Sequence, residues 1–245
     1  MEAKQNIIIL GDSERSRISI LNMLSAFVSS AYKKVIVEKR IGRVSCSALN
    51  STIATYAPGY TSVTAKNQIS NSINSNPDFF VYDELYGNEA NDLFSVANRE
   101  ISFLTTLSGE DSGYGIIKRL ISAPFDVSIR DISALDLVIK IGKTQQNEYE
   151  LLQLSEHRWL SKAEIEKGII VGGKDMLEVK DMLNSFSIKR SELSRSKIIS
   201  AYSKKYEISE KDSIREFDRR TQLLAEASCR EECDVENEVN MYKGW

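Results

Sequence analysis

A chain of 245 residues, 42% hydrophobic, is long enough to bury one large core, alone or with a smaller appendage. A net charge of −3 excludes a whole-chain basic field of the kind that draws in nucleic acid. No apolar run approaches the roughly 20 residues of a membrane span, and the N-terminus lacks a signal-peptide layout.

Ile7 to Leu10 is all apolar, as expected of a strand covered on both faces. The helix after it carries Leu21, Leu24, Phe27 and Val28 on one stripe. Val35 to Val37, Phe79 to Tyr82 and Ile101 to Leu107 read as further strands, with Ala90, Leu93, Phe94 and Ala97 marking a buried helical face between the last two. Strands alternating with helices predict an α/β domain with a largely parallel sheet. Ser45 to Asn76, rich in Ser, Thr and Asn, has no clear period and predicts loops and short elements. Leu135 to Ile141 and Tyr149 to Leu154, parted by Thr144-Gln145-Gln146-Asn147, predict a β-hairpin on the side of the domain. After Gly172-Gly173 the composition turns charged and helical, and Ser209 with Asp212 predicts a capping box.

Cys46, Cys229 and Cys233 provide no disulfide framework and suit a reducing compartment. The four-residue step from Cys229 to Cys233 has no nearby histidine or second cysteine pair, so two ordinary helix residues are favoured over a metal site. The one histidine, His157, sits among Glu156, Arg158 and Trp159 without a companion nucleophile and is expected at the surface or half-buried.

Chemistry is concentrated after the first strand. Gly11, Asp12, Ser13, Ser16, Arg17, Ile18 and Ser19 fall on the frame of a phosphate-binding loop, GxxxxGK[ST]. Gly11 holds the first glycine, but Ser16 stands for the second, Arg17 for the lysine and Ile18 for the hydroxyl that ligates Mg²⁺. Such a loop needs glycines because the backbone curls closely around the phosphates with several amides pointing inward. Arg17 keeps the charge, but its planar guanidinium does not simply replace a compact ammonium. Ser19, the next hydroxyl, is rotated about 100° around the helix. Taken alone, an apolar strand running through Gly-Asp-Ser into a helix also occurs in α/β proteins that bind no nucleotide.

A second segment, Asn76-Pro77-Asp78-Phe79-Phe80-Val81-Tyr82-Asp83-Glu84-Leu85-Tyr86-Gly87-Asn88-Glu89-Ala90, resembles the Walker B region of the type II/type IV secretion ATPases. Ile117 to Val127, continuing to Ala134-Leu135-Asp136-Leu137-Val138, and Tyr206 to Leu224 are similar to two stretches of the archaeal branch that drives pili and archaella. The resemblance covers most of the chain to about Tyr242. It implies a RecA-like P-loop core over residues 1–142, a β-hairpin appendage with a connecting segment over 143–190, and a helical C-terminal tail over 191–245.

The same resemblance puts Glu84 on the glutamate that organises Mg²⁺ and the attacking water, with Glu89 on a second acidic position. A carboxylate held by the fold at a strand end is the equal alternative for Glu84. Tyr86 replaces an arginine, two family histidines are missing near Glu100 to Gly109, and only Glu38 answers to an acidic box after the second strand. The family also places a domain ahead of the P-loop strand that closes over the nucleotide, so a missing lid is a further expectation. One well-aimed electrostatic group is worth on the order of 10²–10³ in rate, and several are altered together.

The resemblance therefore implies a noncatalytic, cytoplasmic paralogue of a secretion or pilus ATPase, needing neither ATP nor Mg²⁺. It would dock to an active ATPase subunit or a membrane assembly platform, any membrane association passing through that partner. The alternative is an unconventional hydrolase that binds Mg·ATP through Arg17, Ser19 and Glu84. A nucleic-acid-binding protein is a third class, but Lys33-Lys34, Lys39-Arg40 and Arg219-Arg220 are better read as solvated faces.

Overall fold

The computed structural model describes residues 4–40, 42–45, 51–55, 65–97, 99–111, 114–143, 149–159, 177–181, 183–184, 187–188 and 193–228. Its parallel strands are β1 (Ile7–Gly11), β2 (Lys34–Glu38), β3 (Ser51–Thr55), β4 (Phe79–Leu85), β5 (Ser102–Ser108) and β6 (Leu137–Lys143). Two antiparallel strands, β7 (Tyr149–Trp159) and β8 (Leu177–Asp181), extend the same sheet. The strand order is β3-β2-β4-β5-β1-β6-β7-β8, and β9 (Leu183–Asn184) pairs with β10 (Ser187–Ile188) in a separate two-stranded ribbon.

Period-two alternation between two covered faces explains why the runs Ile7–Leu10, Val35–Val37 and Phe79–Tyr82 are apolar at every position. Ile7, Ile9, Ile36, Phe79 and Val81 face one side, where Leu21 of α1 (Glu14–Ala26) and Val28 after it close the core. Ile8, Leu10, Val35, Val37, Phe80 and Tyr82 face the other. There they meet α2 (Ala65–Ile73), α3 (Glu89–Ala97), α4 (Tyr114–Ile121) and the single turn α5 (Ile129–Ile132). Of the stripe expected on α1, Leu21 and Val28 are fully buried, whereas Leu24 and Phe27 are half-buried.

Residues 45–76 hold, in their described part, the short elements expected on the rim of the sheet. They include an edge strand, β3, and a nine-residue helix, α2, whose Ile69 is buried and whose Ile73 packs on the same core. Two isoleucines four apart suffice to seat a helix that is otherwise polar. The expected hairpin is present, but it is integral to the main sheet, because β6 pairs with β1 through Ile7↔Leu137 to Leu10↔Lys140. Thr144 to Asn147, Gly172, Gly173, Cys46, Cys229 and Cys233 lie outside the described residues.

The tail forms α6 (Lys197–Tyr206) and α7 (Glu210–Ser228). Leu193, Ile199, Ile214 and Phe217 pack with Leu154 of β7 in a small second core. Ser209 Oγ accepts the Asp212 amide at 3.1 Å, as a cap should, but the Asp212 carboxylate takes the Ser209 hydroxyl at 2.6 Å where a capping box would return to the backbone. Among the described residues, no helix is long and apolar enough to cross a membrane.

Candidate functional site

Gly11, Glu38, Asp83 and Glu84 end their strands on the carboxyl edge of the parallel sheet, where ligands of open α/β sheets bind. The connection between β1 and α1 is short. Only Asp12 and Ser13 separate them; Ser13, extended at φ −85° and ψ 116°, is the N-cap, and helix begins at Glu14. Ser16 and Arg17, expected in the curl of a loop, therefore lie in the first turn of a helix.

Three amides of this turn already have internal partners. Ser13 N–H donates to Asp12 Oδ1 at 2.7 Å, Ser16 N–H to Ser13 Oγ at 3.4 Å, and Arg17 N–H to the Ser13 carbonyl at 3.1 Å. The Gly11 carbonyl accepts the Gly109 amide at 3.1 Å and Arg17 Nη1 at 2.7 Å. Gly11 itself is explained by packing. A Cβ there would stand 2.8 Å from both the Cγ1 and the carbonyl oxygen of Ile141 on β6, and its φ lies outside the left-handed region. Gly11→Ala is accordingly expected to cost about 1–3 kcal/mol as an overpacked contact against backbone, measured by urea denaturation.

Arg17 is the centre of the site. Arg17 lies on α1, the helix after β1; its side chain is 2% exposed, and between β1 and β4 runs β5. Arg17 reaches over that strand to pair Nη2 with Glu84 Oε1. The second oxygen of Glu84 accepts the Tyr86 hydroxyl and lies 3.7 Å from Arg43 Nη2. Arg43 Nη1 pairs with Asp83 at 3.0 Å, and Arg43 Nη2 also pairs with Glu14. Asp83 accepts the Lys39 and Glu84 amides, each at 2.7 Å. Two buried carboxylates are thus matched by two guanidinia.

Burial is the largest influence on Asp83 and pushes its carboxyl up, against the Lys39 amide and Arg43. Burial, followed by the hydrogen bond to Glu84, holds the Tyr86 phenol up at about 12, so it stays protonated and keeps donating at neutral pH. Lys39 stacks its ammonium 3.7 Å from the centre of the Tyr86 ring.

The remaining expected site residues serve the scaffold. Glu38 accepts the amides of Gly42, Arg43 and Val44 at 2.9 to 3.1 Å, shaping the turn that delivers Arg43. Glu89 accepts the amides of Tyr86 and Gly87 at 2.6 and 2.9 Å, fastening the start of α3. Ile18 packs partly into the core beneath α1, and the exposed Ser19 donates back to the Arg15 carbonyl at 3.0 Å. Arg43 was not among the expected residues. Its one sequence signal is indirect, since Asp83 and Glu84 at a strand end require more than one cation.

His157 departs from the expectation of partial exposure. It is fully buried on β7, and neither ring nitrogen has a hydrogen-bond partner among the described residues. Burial pulls it down to about 4.

At this turn two residues connect β1 to α1, the cation at the lysine position is engaged, Ile18 offers no oxygen, and both Glu84 oxygens have partners. Among the described residues, no cluster of three or more His, Cys, Asp or Glu is placed to hold a metal ion.

No protein-family model matches the sequence, and no curated protein matches it. Solved structures do. The VirB11 ATPase from the Brucella suis type IV secretion system, in complex with sulphate, superposes with a TM-score of 0.54 at 16% identity. The match covers 62% of this chain and 48% of that one, less than half of VirB11. The Legionella pneumophila ATPase DotB follows at 0.47, with 12% identity over 62% of this chain and 46% of that one. The pilus retraction motor PilT with bound ADP matches at 0.40, with 14% identity over 89% and 58%. The fold of this chain is thus the RecA-like α/β fold also seen in VirB11.

Proposed function

We propose that this chain is a noncatalytic relative of the secretion and pilus assembly ATPases, a RecA-like scaffold that docks to an ATP-hydrolysing subunit or to a membrane assembly platform. One observation carries the noncatalytic half. The guanidinium at the phosphate-binding position is buried and engaged by the Gly11 carbonyl and Glu84, so the cation and the carboxylate that would serve a triphosphate satisfy each other. The docking half rests on the retained architecture and on the resemblance of four segments to those motors. ATP and Mg²⁺ play no part in this role.

The test is phosphate release by the purified full chain with Mg·ATP. The expected rate equals that of buffer, and Glu84→Gln leaves it unchanged. Turnover that disappears in Glu84→Gln would overturn the proposal and restore the unconventional hydrolase.

A further inference from the structure

Helices α6 and α7 are tied to each other along their length. Ser203 Oγ and Ser213 Oγ, both buried, share a hydrogen bond of 2.7 Å, the Ile208 amide donates to the Ser203 carbonyl at 3.1 Å, and Arg220 Nη2 donates to the Tyr202 hydroxyl at 3.2 Å. Ile199 of α6 shares the small second core with Ile214 and Phe217 of α7. The two helices form one hairpin.

Polar groups at the two ends of α6 fasten this hairpin to the sheet. At its start, Glu156 Oε1 on β7 accepts the Ser196 hydroxyl at 3.3 Å and the Ile198 amide at 3.1 Å, and Lys197 pairs with Asp136 just ahead of β6. At its end, Lys205 Nζ donates at 2.9 Å to the hydroxyl of Tyr32, which precedes β2. Among the described residues, Leu154 is the one apolar side chain that the sheet contributes to the second core. Strands β1, β4 and β5, by contrast, are sealed between the two main cores.

Lys197 and Lys205 are both exposed, and polar pairs that solvent reaches hold weakly. A unit joined to its domain by few buried apolar contacts opens well below the free energy of global unfolding.

We propose that α6 and α7 form a strap, clasped at Asp136 and Tyr32, that opens as one unit while the sheet stays folded. Opening uncovers Leu154 and the Glu156 carboxylate, whose residue is 2% exposed with the strap in place. The strap therefore governs access to that stretch of β7.

Peptide-resolved hydrogen–deuterium exchange of the full chain tests the strap, comparing wild type with the double variant Lys197→Ala, Lys205→Ala. In wild type, the amides of α6 and α7 are expected to be protected, but about tenfold or more below those of β1, β4 and β5. In the double variant, protection is expected to fall by about threefold to tenfold in α6 and α7 together, with those strands unchanged to within about twofold.

Protection of α6 and α7 equal to that of the strands would overturn the proposal, because the hairpin would then open only with the whole sheet. So would an absence of protection in wild type, a fall confined to α6, an equal fall in the strands, or no fall at all. None of these results bears on phosphate release, so the strap and the noncatalytic reading fail separately.

Discussion

Replacing Arg17 by Met is expected to destabilise the chain by about 3–5 kcal/mol, because it strands the Glu84 carboxylate in a site that is 3% exposed. Glu84→Met alone should cost a similar amount by stranding Arg17. The double variant, Arg17→Met with Glu84→Met, removes both charges and is expected to recover most of the loss, since apolar pairs of similar volume often replace buried ion pairs at little cost. Tyr86 and Arg43 remain beside the position, so the recovery will be incomplete. Urea denaturation of the four chains gives the coupling directly. Costs that add, with no recovery in the double variant, would show that the two side chains do not depend on each other.

The second large effect is in acid. The folded-state value of His157 is depressed to about 4 from an ordinary 6.5, so its contribution to stability is fully present above pH 6.5. It is lost as pH falls, because the unfolded chain takes up the proton first, and the loss is complete near pH 4. The shift corresponds to about 3 kcal/mol. Carboxylates also titrate over this range, so the informative quantity is the difference between wild type and His157→Phe, which fills a similar space and carries no proton. That difference is expected to move by about 3 kcal/mol in favour of the variant between pH 7.5 and pH 4. Parallel stability curves would show that the histidine is not protonated on unfolding.

The two residues also show what can be read from a sequence. Central strands were legible because both faces are covered, which forces runs such as Ile7 to Leu10 and Phe79 to Tyr82 to be apolar at every position. Strand β3 was hidden because it is an edge, where Thr52 and Ile53 remain exposed and no run is needed. Helix α2 was hidden because only Ile69 and Ile73 report its period. The reading of β7 stopped at Leu154, although the strand runs to Trp159, because Ser155 and Glu156 interrupt the apolar run, and Glu156 is polar for a tertiary reason. Glu156 Oε1 accepts the Ile198 amide at 3.1 Å at the start of α6, a contact supplied by a helix some forty residues away.

At the site, the positions were legible and their partners were not. Gly11, Arg17 and Glu84 stood out as altered members of two motifs, but nothing in their spacing says that Arg17 turns away from solvent to meet Glu84. Side-chain reach decides that. A guanidinium on the first turn of α1 is long enough to reach the end of β4, where it finds the Glu84 carboxylate. The helix start at Glu14 is a local outcome, set by the Ser13 cap, whose side chain accepts the Ser16 amide.

Isothermal titration of the full chain with Mg·ATP at millimolar concentration, accompanied by a thermal melt, tests the closed turn most directly. An Arg17–Glu84 pair that occupies the phosphate position predicts no saturable heat and no rise in Tm, because a ligand with no seat in the folded state cannot shift the unfolding equilibrium. A saturable, Mg²⁺-dependent heat with a matching rise in Tm would contradict it.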